Sequence, residues 1–348
     1  MRAWQVGALG EPREVMELRR DVPQPEPAAG QLLVRVRAAA VNFPDALMCR
    51  GHYQVRPPLP FTPGVELCGE VVGGEAASTP PPAGAGVGVP PAEGGVGVPP
   101  AGGWGRVIGT PLLPAGAFGE YALMAADAVF PAPDALDDAE AAALHIGYQT
   151  AWFGLHRRAG LRAGETLLVH AAAGGVGSAA VQLGKAAGAT VIGVVGGPEK
   201  AARARELGAD LVIDRRSEDF VTAVKEATGG RGADVVFDPV GGDAYTGSTR
   251  CIAFEGRILV VGFASGGIPS PGLNHALVKN YSILGLHWGL YNTRDPQAVR
   301  AVHAELTELA AKGVVRPLIG ERLPFERAAE GARGGAPGYW LGRIAIPT

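Results

Sequence analysis

Glu165-Thr166-Leu167-Leu168-Val169-His170 runs directly into Ala171-Ala172-Ala173-Gly174-Gly175-Val176-Gly177, and these thirteen residues decide the fold. The first six read as a strand; the glycines then open a helix through Val181-Gln182-Leu183-Gly184-Lys185. A glycine-rich turn between a strand and a helix is the context that a dinucleotide-binding fingerprint requires. Gly174 lets the backbone approach a pyrophosphate, and Gly177 lets the helix pack closely on the sheet. The phosphates then meet free N–H groups at the positive end of the helix. Ala173, Gly175 and Val176 complete the cradle, while Ala172 stands where the usual pattern has its first glycine.

Outward from this turn the alternation continues. Thr190–Val195, Leu211–Asp214, Asp234–Asp238 and Arg257–Gly262 read as strands, with helices over Pro198–Leu207 and Glu218–Thr228 between them. Strands alternating with helices of this length imply a parallel, doubly wound sheet. The second strand ends in Val194-Val195-Gly196-Gly197, without the acid that holds a ribose 2′-OH in NAD-binding domains. Small residues at Gly196 leave room for a 2′-phosphate. Lys200 is placed to neutralise it and Arg215 is a second candidate, although each also reads as an ordinary solvated charge. NADPH is the expected cofactor.

Residues 1–72 have a different texture, of short strands and turns. Leu32–Ala38 is β-rich and partly alternating, and Pro57–Gly64 is a proline-rich loop. Residues 73–104 hold 10 Gly and 7 Pro in 32 positions, and Gly86–Gly94 is nearly repeated as Gly95–Gly103. Such a stretch buries too little side chain to offset its ordering entropy, so a loop is expected there. Beyond residue 263 an amphipathic helix is expected around Ala298–Lys312 and a strand at Ile344–Ile346.

Bulk properties narrow the function classes. Hydrophobic residues make up 47% and charged residues 19%, a globular balance, and the net charge of -3 offers nucleic acid no basic stripe. No run of about 18 apolar residues exists to span a membrane. Met1-Arg2-Ala3-Trp4-Gln5 does not start a secretory signal, and three cysteines do not make a disulfide framework. A cytoplasmic location is expected.

Val41-Asn42-Phe43-Pro44-Asp45, Gly51-His52-Tyr53 and Leu59-Pro60-Phe61-Thr62-Pro63-Gly64-Val65-Glu66 together resemble the N-terminal signature of quinone oxidoreductases of the zeta-crystallin type. The resemblance runs on through Gly116–Tyr121, Thr150-Ala151, the glycine turn, Phe237–Gly242 and Lys279-Asn280. It implies an α/β protein of the medium-chain dehydrogenase/reductase superfamily. A GroES-like, β-rich catalytic domain would comprise residues 1–125 and 263–348, and a Rossmann domain residues 126–262. It also implies a homodimer whose contact lies near Arg257–Gly262. Gly262 is grouped with the cofactor-binding residues, and Thr150 is expected near the nicotinamide.

Zinc-dependent relatives carry a Cys at the position of Asn42 and a His at that of Pro63, so the resemblance implies a zinc-independent enzyme. Cys49-x-x-His52 with Glu66 and Cys68 nearby invites a metal reading, but its spacing is not a zinc pattern. Reduction of an electron-poor acceptor needs only a hydrogen-bond donor for the developing oxyanion. Asn42 and Tyr53 are the candidates for orienting the acceptor, and Asp45 for supporting that wall. Isolated histidines such as His145 and His170 are read as structural. The expectation is NADPH-dependent hydride transfer to quinones. The alternatives are reduction of enones or enoyl-CoA thioesters, and a non-catalytic NADPH-binding structural role.

Overall fold

The computed structural model describes residues 1–74, 105–332 and 343–347, the last by backbone alone. The repetitive stretch at 73–104 thus lies outside the described residues except for Gly73 and Gly74. The chain opens with an antiparallel pair, β1 (Ala3–Val6) and β2 (Met16–Arg19). It continues into β3 (Gln31–Val41), β4 (Leu67–Gly74), β5 (Arg106–Gly109), β6 (Tyr121–Ala125) and β7 (Val129–Pro131). Six parallel strands follow: β8 (Thr166–His170), β9 (Thr190–Val195), β10 (Leu211–Asp214), β11 (Ala233–Asp238), β12 (Ile252–Val260) and β13 (Ser282–Gly285). The chain then returns through β14 (Ile319–Arg322) and β15 (Arg343–Pro347) to the first unit.

Strand order in the parallel sheet is β10-β9-β8-β11-β12-β13, so the order reverses between β8 and β11. In a doubly wound sheet that reversal opens a crevice beyond the carboxyl ends of the strands, where ligands bind. Both faces of the sheet are covered, as the apolar strands require. Leu167, Val169, Val191, Val235, Phe237 and Leu259 point into one core, and Leu168, Ile192, Val236 and Ile258 into the other. This is the two-residue period of a strand read on both faces.

In the antiparallel sheet the long strand β3 is central, pairing with β4, β6 and β15. The core on the first face of the parallel sheet runs on without a break into Ala38, Ala40, Cys68, Ile108 and Phe130 of this unit. The two units therefore share apolar packing. The expected division after residue 262 is not where the parallel sheet stops: β13 pairs with β12 over Arg257–Val260 and extends the sheet by one strand. The helix expected at Ala298–Lys312 spans Pro296–Ala311, capped by the Asp295 side chain.

His145 and His303 sit in the shared core around Phe130, with ring centroids 4.8 and 4.9 Å from it. Burial pushes His145 down to about 3 and His303 down to about 4. Both are neutral in the folded protein, whereas in the unfolded chain they bind protons below about pH 6.5. The unfolded state then binds more protons, so stability falls as pH drops from about 6.5 towards 4. Denaturant unfolding at pH 5 should show a loss of about 2 kcal/mol per histidine relative to pH 7.5. His303→Gln should flatten that slope by one histidine's share.

Candidate active site

The carboxyl end of β8 turns through Ala171–Gly174 into the helix Gly175–Ala186. Ala171 has a positive φ of 52°, and Gly174 N–H donates to its carbonyl at 2.7 Å. Gly177 lies so close to this turn that a Cβ there would stand 2.0 Å from the Ala171 carbonyl oxygen. The helix's bonding begins with Ser178 N–H to Gly174 C=O at 2.9 Å. The N–H groups of Gly175, Val176 and Gly177 precede that bond, so the chain's own helix leaves them for an anion.

One strand over, the end of β9 carries Gly196 and Gly197, the latter with φ of 108°. A Cβ on Gly196 would meet the Arg215 guanidinium at 3.4 Å, and one on Gly197 would meet Arg216 Nη1 at 3.0 Å. Two guanidinium groups thus lie over two glycines. Lys200 completes the cluster. Its pKa is lowered from the ordinary lysine value, first by burial and then by Arg216 and Arg215. Asp214 turns its carboxylate to the backbone, accepting from Gly197 N at 2.8 Å and Arg216 N at 3.0 Å. These contacts to Arg216 and Gly197 hold it below the usual carboxylate range. The structure therefore brings Gly196, Lys200 and Arg215 together, and adds Arg216, which sequence reading passed over. The signal was the tandem Arg215-Arg216 at a strand end.

Further along the edge, Gly262 follows β12 with its Cα against the Pro239 carbonyl, where a Cβ would stand 3.2 Å from the oxygen. Asp238 ends β11 and accepts from Val240 N and Gly241 N at 2.8 and 2.9 Å, fixing the facing turn. Thr150 is buried on the helix His145–Trp152, which packs against the helix Gly175–Ala186. Along the order β10-β9-β8-β11-β12 the three-cation end comes first, then the N–H groups after β8, then the close backbone approach at Gly262, an arrangement with the chemistry a dinucleotide requires.

The remaining candidate residues come from the first unit. Asn42 caps the helix Phe43–Cys49, its N–H donating to Asp45 Oδ2 at 2.7 Å. Asp45 is fully buried and its other oxygen accepts from Gly64 N and Val65 N, each at 3.1 Å. Asp45 therefore fastens the start of its own helix to the loop at Gly64 and Val65. The expectation that the Asn42 amide meets the acceptor needs correcting. Asn42 is 2% exposed, and Nδ2 donates to Ala40 C=O at 3.1 Å and to Glu66 Oε2 at 2.9 Å. Both amide protons are thereby used inside the protein. Tyr53 is half-buried beyond the helix, packed on the apolar core of this unit. Burial, and then Asp45, raise its pKa above the ordinary tyrosine value. Next to it, Gln54 Nε2 meets His287 Nε2 at 3.1 Å, joining this unit to the loop after β13.

Among the described residues no three His, Cys, Asp or Glu side chains gather as a metal site. Cys49 is buried, its thiol pushed up to about 12 by burial and Asp45, while His52 is exposed. His170, at the end of β8, is buried against Phe220 and meets Ser248 Oγ at 2.8 Å. Burial lowers its pKa, so it joins β8 to the helix Gly242–Cys251 as a neutral group. Because Gly177 has no room for a side chain, Gly177→Ala should lower the melting temperature by several degrees. It should also abolish dinucleotide binding in a calorimetric titration, whereas Gly7→Ala, in open space, leaves binding intact.

Comparison with known proteins agrees with both halves. Residues 28–134 match the alcohol dehydrogenase GroES-like domain family and residues 175–307 the zinc-binding dehydrogenase family. A quinone oxidoreductase-like protein 2 homolog of Nematostella vectensis is 40% identical over 271 residues, covering 78% of this chain and 68% of that protein. The quinone oxidoreductase of Rattus norvegicus is 31% identical over 330 residues, covering 95% of this chain and 92% of its own. The crystal structure of Escherichia coli quinone oxidoreductase complexed with NADPH superposes with a TM-score of 0.84 at 28% identity, both chains covered in full. With a parallel sheet inserted into a GroES-like unit and relatives alike over nearly its whole length, the chain belongs to the quinone oxidoreductase family of the medium-chain dehydrogenase/reductase superfamily.

Proposed function

We propose that this protein transfers hydride from NADPH to a quinone. The observation that carries the cofactor assignment is the cluster of Lys200, Arg215 and Arg216 over the acid-free end of β9. An acid there would select a ribose 2′-OH; two guanidinium groups over two glycines, with Lys200 beside them, suit a 2′-phosphate instead. The N–H groups of Gly175, Val176 and Gly177 would hold the pyrophosphate, with Thr150 and Gly262 on the nicotinamide side. The quinone assignment is supported by the relatives named for that activity.

NADPH, when bound, supplies the hydride. The chain supplies the surroundings: Tyr53 lines the acceptor wall with a phenol that stays protonated at neutral pH, because burial and Asp45 disfavour the phenolate. Its O–H is then available to donate to an oxyanion developing on the acceptor, and either Tyr53 or water delivers the proton. Asp45 and Asn42 keep the loop that carries this wall in place.

Further parts of the reading concern organisation. We assign residues 1–125, with the returning C-terminal strands, to the catalytic domain, and the parallel sheet to the cofactor domain. A homodimer is supported by the open edge of β13 beside exposed Phe254, Leu273, Leu277 and Val278. β13 pairs with Arg257–Val260 of β12, so a contact at β13 would lie one strand away from Arg257–Gly262. Three buried, unpaired cysteines suit the reducing cytoplasm. No helix among the described residues is long and apolar enough to cross a membrane.

The test is NADPH and NADH oxidation by the purified protein with a simple quinone, beside an enone and an enoyl-CoA. Quinone-dependent, NADPH-preferring and chelator-resistant turnover is expected; turnover with the enoyl-CoA alone would move the assignment to thioester reduction. Losing one charge-assisted contact, Arg216→Gln should weaken NADPH binding about 10- to 100-fold and leave NADH binding unchanged. Light scattering should give twice the chain mass, shifting towards one chain in Leu277→Asp.

A further inference from the structure

We infer that Glu66 is a positioning residue that holds the acceptor wall and the nicotinamide wall of the cleft in register, an inference that rests on the hydride-transfer reading above. Glu66 closes the proline-rich loop and directly precedes β4. It has no exposure to solvent. Its two carboxyl oxygens serve two different walls: Oε2 accepts from Asn42 Nδ2 at 2.9 Å, and Oε1 accepts from Ile146 N at 2.6 Å. Ile146 stands in the first turn of the helix His145–Trp152, whose N–H groups have no partner within the helix. Thr150 lies one turn further along that helix, on the same side.

The residue type matters here. Both partners are donors, so the bridge needs two acceptors on one short side chain. A glutamine in the same place offers one acceptor and one donor, and one of its ends would face an N–H in a site that excludes water. That unsatisfied contact is costly in a buried site. Asn42 is itself held from both sides, its backbone N–H by Asp45 and its side chain by Glu66. The loop that leads to Tyr53 is thereby referenced, through one carboxyl group, to the helix that carries Thr150. A shift of about 1 Å between reacting partners is enough to cost about 100-fold in rate. The three-cation end of the cofactor site belongs to other strands, so Glu66 would govern alignment and leave cofactor affinity alone.

The experiment compares wild type with Glu66→Gln, both saturated with NADPH. Expected for Glu66→Gln are a fall in kcat of tenfold or more and an NADPH Kd within twofold of wild type. A larger isotope effect with NADPH deuterated at the transferred position is also expected, with a shorter fluorescence lifetime of the bound nicotinamide. If Glu66→Gln does not fold, Glu66→Asp takes its place, because it keeps the charge but is too short to reach both donors. A variant that loses only thermal stability, keeping kcat, isotope effect and lifetime, would overturn the inference. If wild type binds NADPH but reduces no quinone, the functional reading fails separately, and the lifetime still reports on Glu66.

Discussion

A strand buried on both faces cannot end in a loose loop, and that constraint organises this protein. β8 lies in the middle of a parallel sheet with apolar cores above and below it. Its chain must reverse at once into a helix that packs back on the sheet. Only a turn as tight as Ala171–Gly177 does this, and it works because Gly177 presents bare backbone to the Ala171 carbonyl. The same tightness leaves the helix's first N–H groups facing the crevice. Packing and ligand chemistry are here two results of one steric fact.

Much of this was legible in the sequence, because local chemistry dictated it. Thr190–Val195 and Leu211–Asp214 were readable to the residue, since buried strands bounded by turns have few alternatives. The cation cluster was half legible: Lys200 and Arg215 stood out, whereas Arg216 needed the register of β10 against β9 to place it over Gly197. What could not be read was where side chains spend their hydrogen bonds. Asn42 looked like a donor for substrate because its type and motif allow it, but Glu66, 24 residues away, takes one of its amide protons. β13 was likewise missed as part of the parallel sheet, since Ser282–Gly285 is a four-residue edge strand preceded only by the short helix Leu273–Lys279.

The two units meet through apolar packing and a few polar links, not through a flexible tether. Phe130 and Ile108 of one sheet join the core that backs β8 and β11 of the other. Arg316 of the returning segment pairs with Glu140 at 2.6 Å, and its backbone N–H donates to Gln182 at 2.7 Å, so the C-terminal segment is stitched to the Rossmann side as well. Motion between the units therefore has to be sought where Gln54 meets His287, a contact that is polar and exposed.

Finally, the crowding of Lys200, Arg215 and Arg216 has a thermodynamic side. Like charges gathered at one strand end repel one another, and the Lys200 pKa is lowered first by burial and then by Arg216 and Arg215. A dianion arriving there relieves the repulsion as well as making new contacts. Part of the affinity for such a dianion would thus come from repulsion already built into the fold. Added salt would screen that repulsion, steadying the fold and weakening its grip on a dianion at once.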